Sequence, residues 1–387
     1  MQSWLRGRPR YACHMAVKIS WRQALAWRMQ RHLLDPVGTL PVTHVVRRLC
    51  GVQAQVASSA ELVVRVRREA SRPGEVGRAV SQGHLIKTWA MRGALHRLTP
   101  KEGGAFLSLM ASGRSWERPS WQRYFDVTTD MMDDLRATVQ EALDGTVLTR
   151  DELVTAVIGR RGLAHIGEGL RSGWGTLLKP LAWQGDLCFG PSRSGRVTFM
   201  RPEAASSRWA GVPDPDEAAP VAIVAYFGAY GPATLDAFGN WLAGGWFGKR
   251  QLRTWFGALG DRLIDVEVDG ERAYVLAEDM DGLAAAKGTP AVRLLPGFDQ
   301  YVLGPGTGDG HVVPAARRGA VSKQSGWISP VVVAGGVVRG TWNLDGEQVR
   351  VAWFREAGRP QRKALEAEVA RLSSILGRGL RAGISLA

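Results

Sequence analysis

At 387 residues the chain exceeds one ordinary core and predicts two to four domains, and its 45% hydrophobic and 22% charged content is that of a soluble globular protein. No apolar run reaches the roughly 18 residues that span a bilayer, and the basic N-terminus lacks the apolar core of a signal peptide; this excludes a membrane-embedded class and predicts a cytoplasmic protein. A net charge of +14 and a pI near 10.3 favour a polyanionic partner, while three scattered cysteines (Cys13, Cys50, Cys188) exclude a zinc site or a disulfide framework.

Met15 is an alternative start, and residues 1–18 are expected to be a disordered extension. The capping box Ser20-Trp21-Arg22-Gln23 opens a first helix, along which Trp21, Leu25, Met29 and Leu33 recur every fourth residue. A second helix runs from about Val42 to Cys50 and ends at Gly51, a natural left-handed terminator. Next comes Gly51-Val52-Gln53-Ala54-Gln55. If this stretch is extended, both glutamines point to one face and Val52, Ala54 and Val56 to the other. Ser58-Ser59-Ala60-Glu61 reads as the capping box of a third helix. A shorter helical piece follows Pro73. Leu85–Met91 and Ala94–Leu98 then flank Arg92-Gly93 and predict a hairpin. Helices followed by a two-stranded ribbon are the layout of a winged helix.

The layout recurs. Thr99-Pro100-Lys101-Glu102 caps a connecting helix, and helical patterns occupy about Thr129–Leu143, a stretch capped at Thr149-Arg150-Asp151-Glu152, and Trp174–Trp183. A second ribbon follows, Leu187–Gly190 and Val197–Phe199, with Arg193 and Arg196 at its tip. Past the linker Pro213–Asp216, a third copy ends in the hairpin Leu263–Val268, Asp269-Gly270, Ala273–Leu276. Three such units at a spacing of roughly 100 residues imply a tandem array. Beyond Gly288, valine- and glycine-rich strands suggest a small barrel, and Leu365, Val369, Leu372 and Leu376 mark a last helix. The expected fold is α+β: three winged-helix modules (19–126 with its connecting helix, 127–212, 213–287), a C-terminal β-barrel (288–356) and a C-terminal helix (357–387).

No Walker A loop, GxGxxG after a strand, HExxH or GxSxG occurs, so no metal and no nucleotide cofactor is expected. Acidic pairs such as Asp133-Asp134 fall on a helix and read as solvated. What stands out is the glutamine pair. A glutamine amide is no general base near neutral pH, but its carbonyl orients a water and its dipole stabilises positive charge developing on a sugar. That suffices only where the leaving group is already activated, as in a purine alkylated at N7 or N3, whose positive charge weakens the glycosidic bond. On spacing alone two readings of the pair stay open: this chemistry, or an interhelical turn whose amides satisfy backbone groups.

Several motifs, in order, resemble those of the AlkZ-like DNA glycosylases, a tandem winged-helix family. They are Gly51-Val52-Gln53-Ala54-Gln55 with its flanks, Lys87-Thr88-Trp89-Ala90-Met91-Arg92-Gly93-Ala94-Leu95-His96, Gly185–Pro191, Tyr230-Gly231-Pro232-Ala233 and Leu295-Pro296-Gly297-Phe298-Asp299-Gln300-Tyr301. The resemblance covers the chain from about Ile19 to Phe354. It implies a C-shaped clamp on double-stranded DNA, excision of N7-alkylated purines and, in some members, unhooking of interstrand crosslinks. The family's glutamine–aliphatic–glutamine motif maps onto Gln53 and Gln55 as the catalytic pair. Ala94 stands where the strand motif usually carries threonine, so a hydroxyl is missing. The loop from Pro305 to Arg318 corresponds to a hairpin inserted at the lesion, here glycine-rich and expected to be mobile.

Further candidates carry two readings each. His96 is a hydrogen-bonded core residue or lines the site near phosphate or lesion; Trp89 is core or a stacking platform. Asp299 orients a glutamine or a nearby backbone, or caps a strand. Arg92, Arg193, Arg317 and Arg318 are candidate phosphate contacts, and Lys87 is placed with them. The leading functional reading is a monomeric, nucleoid-associated, monofunctional DNA glycosylase acting on cationic alkylpurines. The alternatives are a non-catalytic winged-helix regulator and a self-resistance protein that binds drug-modified DNA without cutting it.

Overall fold

A computed structural model describes residues 18–387; the expected N-terminal extension therefore lies outside the described residues, apart from Lys18. Fourteen strands follow in chain order: β1 (Lys18–Ile19), β2 (Val52–Gln53), β3 (Ile86–Trp89), β4 (Leu95–Leu98), β5 (Leu148–Thr149), β6 (Cys188–Phe189), β7 (Thr198–Met200), β8 (Leu263–Val268), β9 (Glu271–Leu276), β10 (Val292–Leu295), β11 (Val331–Ala334), β12 (Val337–Asp345), β13 (Gln348–Trp353) and β14 (Arg381–Leu386). They form three sheets among helices, a mixed α and β fold.

The first helix, Trp21–Arg31, starts at a complete capping box between Ser20 and Gln23. The helices Val42–Arg48, Ala57–Arg65 and Glu75–Ser81 follow, and then the ribbon β3–β4. Ser58 and Ser59 do not cap: the helix already begins at Ala57, and Glu61 instead accepts from the Val76 backbone N–H at 3.2 Å. A second helices-and-ribbon unit contains Thr129–Ala142, Arg150–Ile158, Lys179–Trp183 and β6–β7. Its Thr149–Glu152 box is complete, whereas Trp174 stands exposed in a turn ahead of the short helix rather than at its start. The third unit contains Pro215–Tyr230, Leu235–Ala243, Lys249–Gly257 and the hairpin β8–β9, with Asp269 and Gly270 both at positive φ in its two-residue turn.

The ribbons of the first two units are not separate. Lys87 pairs with Phe189, which joins β2-β4-β3 to β6-β7-β5 in one six-stranded sheet. The third hairpin gains β1 as a parallel neighbour of β8.

The expected C-terminal barrel is an open five-stranded sheet, β10-β11-β12-β13-β14, with edges at β10 and β14. The helix Arg362–Leu376 explains why it does not close. Leu365, Val369 and Leu372 pack on Val292, Leu294, Val349, Val351 and Trp353, so a helix already covers that face. The opposite face (Leu295, Val331, Val333, Val338) packs on Leu25, Met29, Tyr301 and Val302. The final residues are not only helix: β14 returns parallel to β13, a pairing that needs a crossover, which this helix supplies.

Candidate active site

Cys50 and Gly51 both take positive φ, 56° and 100°, and reverse the chain into β2. A side chain at position 51 would meet Leu98 Cδ2 at 2.3 Å, so only glycine fits this reversal. β2 is the edge strand of the six-stranded sheet and pairs antiparallel with β4: Val52 opposes Arg97, and Gln53 opposes His96. The Ala54 N–H continues the ladder to the Leu95 carbonyl at 2.7 Å. The stretch is thus extended. Val52 and Ala54 enter a core with Val45, Val46, Leu49, Val63 and Val64, while the Gln53 amide Nε2 donates to Gln55 Oε1. Gln53 is buried and Gln55 is exposed.

Thr88, His96 and Gln53 form one row across β3, β4 and β2, and therefore share a face of the sheet. His96 is 2% exposed. Its Nδ1 lies 2.9 Å from the Ala94 carbonyl. A carbonyl only accepts, so Nδ1 carries the proton and Nε2 of the neutral ring is an acceptor. Burial pushes the His96 pKa down to about 4, against a partial offset from that hydrogen bond. The imidazole beside the amide pair is uncharged at neutral pH. Thr88 is fully buried in the same row and its hydroxyl has no partner among the described residues. It sits inside a family motif, but no signal in the sequence marks it as a site residue.

Lys87 and Trp89 point to the other face. Lys87 lies over the Phe189 ring at 5.1 Å, and Trp89 packs edge-on against Phe189 at 4.6 Å and beside Phe199 at 5.9 Å. Burial lowers the Lys87 pKa, with Arg97 contributing. Trp89 is 5% exposed, a core residue.

Arg92 occupies the turn between β3 and β4 at φ 55°, a left-handed conformation unusual outside glycine. Its guanidinium reaches toward the Leu303 carbonyl at 3.5 Å. The side chain keeps solvent contact, yet enough protein surrounds it for desolvation to lower its pKa. It lines a cavity of about 580 Å³ together with Arg28, Asn240, Asp309, His311 and Arg318. The cavity brings Arg92 and Arg318 together; the glutamines do not line it.

The segment from Pro305 to Arg318 holds no strand, so the expected hairpin is absent; it consists of turns ending in short helical pieces. It is also tethered. Asp309 pairs with buried Arg28 at 3.2 Å, His311 stacks on Trp21 at 3.6 Å, and Val312 and Val313 are buried. Arg317 is paired with Glu356 and lies over Phe354 at 4.8 Å. Arg193 is paired with Glu152 at the surface. Arg318 has no carboxylate partner among the described residues.

Asp299 does not meet a glutamine. Its carboxylate takes two hydrogen bonds from Arg67, at 2.8 and 2.6 Å, and one from the Tyr301 N–H at 2.8 Å, so it caps the helical turn Gln300–Leu303 rather than a strand. Both members of the ion pair are essentially fully buried. Tyr230, at the head of the Tyr230–Ala233 motif, donates its hydroxyl to the Leu49 carbonyl at 2.7 Å and so braces the chain just before the reversal into β2.

Comparison with known proteins adds a consistent set of likenesses. The family model described as DNA glycosylase AlkZ-like matches residues 46–375. A curated interstrand DNA cross-link repair glycosylase of Streptomyces sahachiroi is 49% identical over 362 residues, 93% of this chain and 98% of that protein. The solved structure of Streptomyces sahachiroi DNA glycosylase AlkZ is similar with a TM-score of 0.93 at 48% identity, covering 95% of this chain and 100% of that one.

Proposed function

The chain belongs to the AlkZ-like family of DNA glycosylases, hydrolases acting on N-glycosyl bonds, and from that premise we propose that it releases cationic N7- or N3-alkylated purines from duplex DNA with Gln53 and Gln55 placing the attacking water. The observation that carries this reading is the amide pair itself: Gln53 bonded to Gln55, in a row with a neutral imidazole. The bond between the amides occupies Gln53 Nε2 and Gln55 Oε1. It leaves Gln53 Oε1 to accept from a water and the Gln55 amide N–H groups to donate.

A water hydrogen-bonded to Gln53 Oε1 directs a lone pair at the anomeric carbon. The glycosidic bond breaks with its electron pair going to the purine, which leaves neutral because it entered as a cation. The carbonyl dipole stabilises the oxocarbenium-like sugar, and the water gives its proton to solvent after attack. A protonated histidine here would oppose the sugar cation; the neutral His96 does not.

The three helices-and-ribbon units serve as winged-helix modules, which with the C-terminal sheet form a C-shaped, monomeric clamp on the duplex. The protein works on nucleoid DNA in the cytoplasm. Unhooking of crosslinks is supported by the name of the Streptomyces sahachiroi relative.

The test is base release from duplex DNA carrying N7-methylguanine, without added metal. Release that is lost in Gln53→Ala and Gln55→Ala supports the reading. Binding without release by the native protein, or release untouched by both substitutions, overturns it.

A further inference from the structure

Beside the Arg92–Gly93 turn lies a second recess of about 360 Å³, lined chiefly by Trp121, Trp183, Trp246, Met110, Arg92 and Lys179. Three indoles and a thioether converging on one hollow make a surface suited to flat rings. Trp246 is 59% exposed, an unusual position for so large an apolar ring. Trp183 is only 7% exposed, and its Nε1–H has no hydrogen-bond partner among the described residues. A buried indole N–H without a partner is an open donor.

The two cations are equally telling. Lys179 and Trp183 stand one turn apart on the same short helix, and the Lys179 stem lies against the hairpin tip, 3.3 Å from where a Gly93 side chain would begin. Neither Lys179 nor Arg92 has a carboxylate partner among the described residues. Desolvation lowers the pKa of both, so an incoming anion would relieve a cost the fold already bears. Arg118 lies over the Trp246 ring at 5.1 Å and adds a third positive charge at the rim.

We propose that this recess receives an undamaged nucleotide displaced from the duplex, its base on the tryptophans and its phosphate against Lys179 and Arg92. Unneutralised cations at the mouth disfavour a positively charged alkylpurine, whereas a neutral base with an anionic phosphate satisfies rings, open donor and cations together. The recess shares the β3–β4 turn with the strand that carries His96 opposite Gln53. The proposal rests on duplex DNA being the partner, but not on the glutamine chemistry.

The experiment uses the full chain and two undamaged duplexes. One carries 2-aminopurine paired with thymine; the other carries it as a single unpaired extra nucleotide. Expected is binding of the second that is about tenfold tighter, with its 2-aminopurine fluorescence quenched by stacking on indole. Trp246→Ala and Lys179→Met remove that preference while leaving affinity for the paired duplex close to native, and Trp183→Phe, which keeps a ring and removes the N–H, reduces it. Equal affinity for the two duplexes, an unpaired 2-aminopurine that stays bright, or a preference that survives both Trp246→Ala and Lys179→Met overturns the proposal. Binding to neither duplex overturns the DNA-partner premise and the proposal with it.

Discussion

Gln53 and His96 stand opposite one another across the β2–β4 ladder, and both are buried. The amide pair is therefore held from two sides, by its own Gln53–Gln55 bond and by a strand fixed within a six-stranded sheet. Residues bonded to each other act as a unit. Gln53→Ala and Gln55→Ala should each lower single-turnover release of N7-methylguanine by about 100-fold, and the double variant should lose little more than the worse single one. A double loss equal to the product of the two would show that the amides work independently.

Acid should destabilise the protein through its buried histidines. His96 titrates at about 4 in the folded chain against 6.5 when free, so the unfolded state binds the proton first as pH falls. Its stabilising contribution is complete above pH 6.5 and is lost as pH drops toward 4, about 3 kcal/mol in all. His32, fully buried and also held well below its ordinary value, works in the same direction. Denaturant unfolding from pH 7.5 to 4 checks this; His96→Gln should flatten the fall by one histidine's share.

The Arg67–Asp299 ion pair should be structural. Asp299→Ala leaves a guanidinium buried without its carboxylate and should cost about 3–5 kcal/mol in unfolding free energy. The double variant Arg67→Met/Asp299→Ala should recover part of that loss. At a temperature where Asp299→Ala is folded, its base-release rate should match native. A rate loss with unchanged stability would return Asp299 to the site.

Tyr230 links two distant segments, with its hydroxyl on Leu49 and its ring against Gly304. Any side chain at position 304 would begin 1.9 Å from Tyr230 Cε1. The ring is confined by His32 and Tyr226, so Gly304→Ala should cost about 1–3 kcal/mol by overpacking. Tyr230→Phe should cost about 1 kcal/mol for the lost hydrogen bond and slow base release, because the brace ahead of β2 is gone. Thermal melts and single-turnover rates measure the two effects separately.

The candidate phosphate contacts should separate by salt dependence. Arg318 has no acidic partner among the described residues and lines the large cavity, whereas Arg317 is committed to Glu356 and Phe354. Arg318→Ala should reduce the slope of log affinity against log salt by about 1, and Arg317→Ala by much less. Equal slopes in both variants would contradict this division.

Local rules read the chain well where a signal is carried by neighbours in sequence. The boxes at Ser20 and Thr149 and the Asp269-Gly270 turn follow from spacing, whereas spacing gives the glutamine stretch only a conditional reading, which its pairing with β4 resolves as extended. Long-range pairing left no such mark. Nothing near Lys87 or Phe189 announces that they join two ribbons, and nothing in the valine-rich strands tells an open sheet from a barrel, since both alternate alike. The same limit holds at the site. An extended stretch puts both glutamines on one face, but which other residues share that face depends on the β2–β4 register. That register keeps His96 with Gln53 and sends Lys87 and Trp89 to the far side.

The Lys87–Phe189 pairing also bears on how the molecule comes apart. With the first two ribbons joined in one sheet at Lys87–Phe189 and packed on one shared core, the amides of β2, β4, β3, β6 and β7 are expected to open together. Hydrogen exchange should find them protected to a common depth and released in a single event, a cooperative block that crosses two helices-and-ribbon units. The glutamine strand sits at the rim of this block, and so inherits its stillness from residues more than 100 positions away.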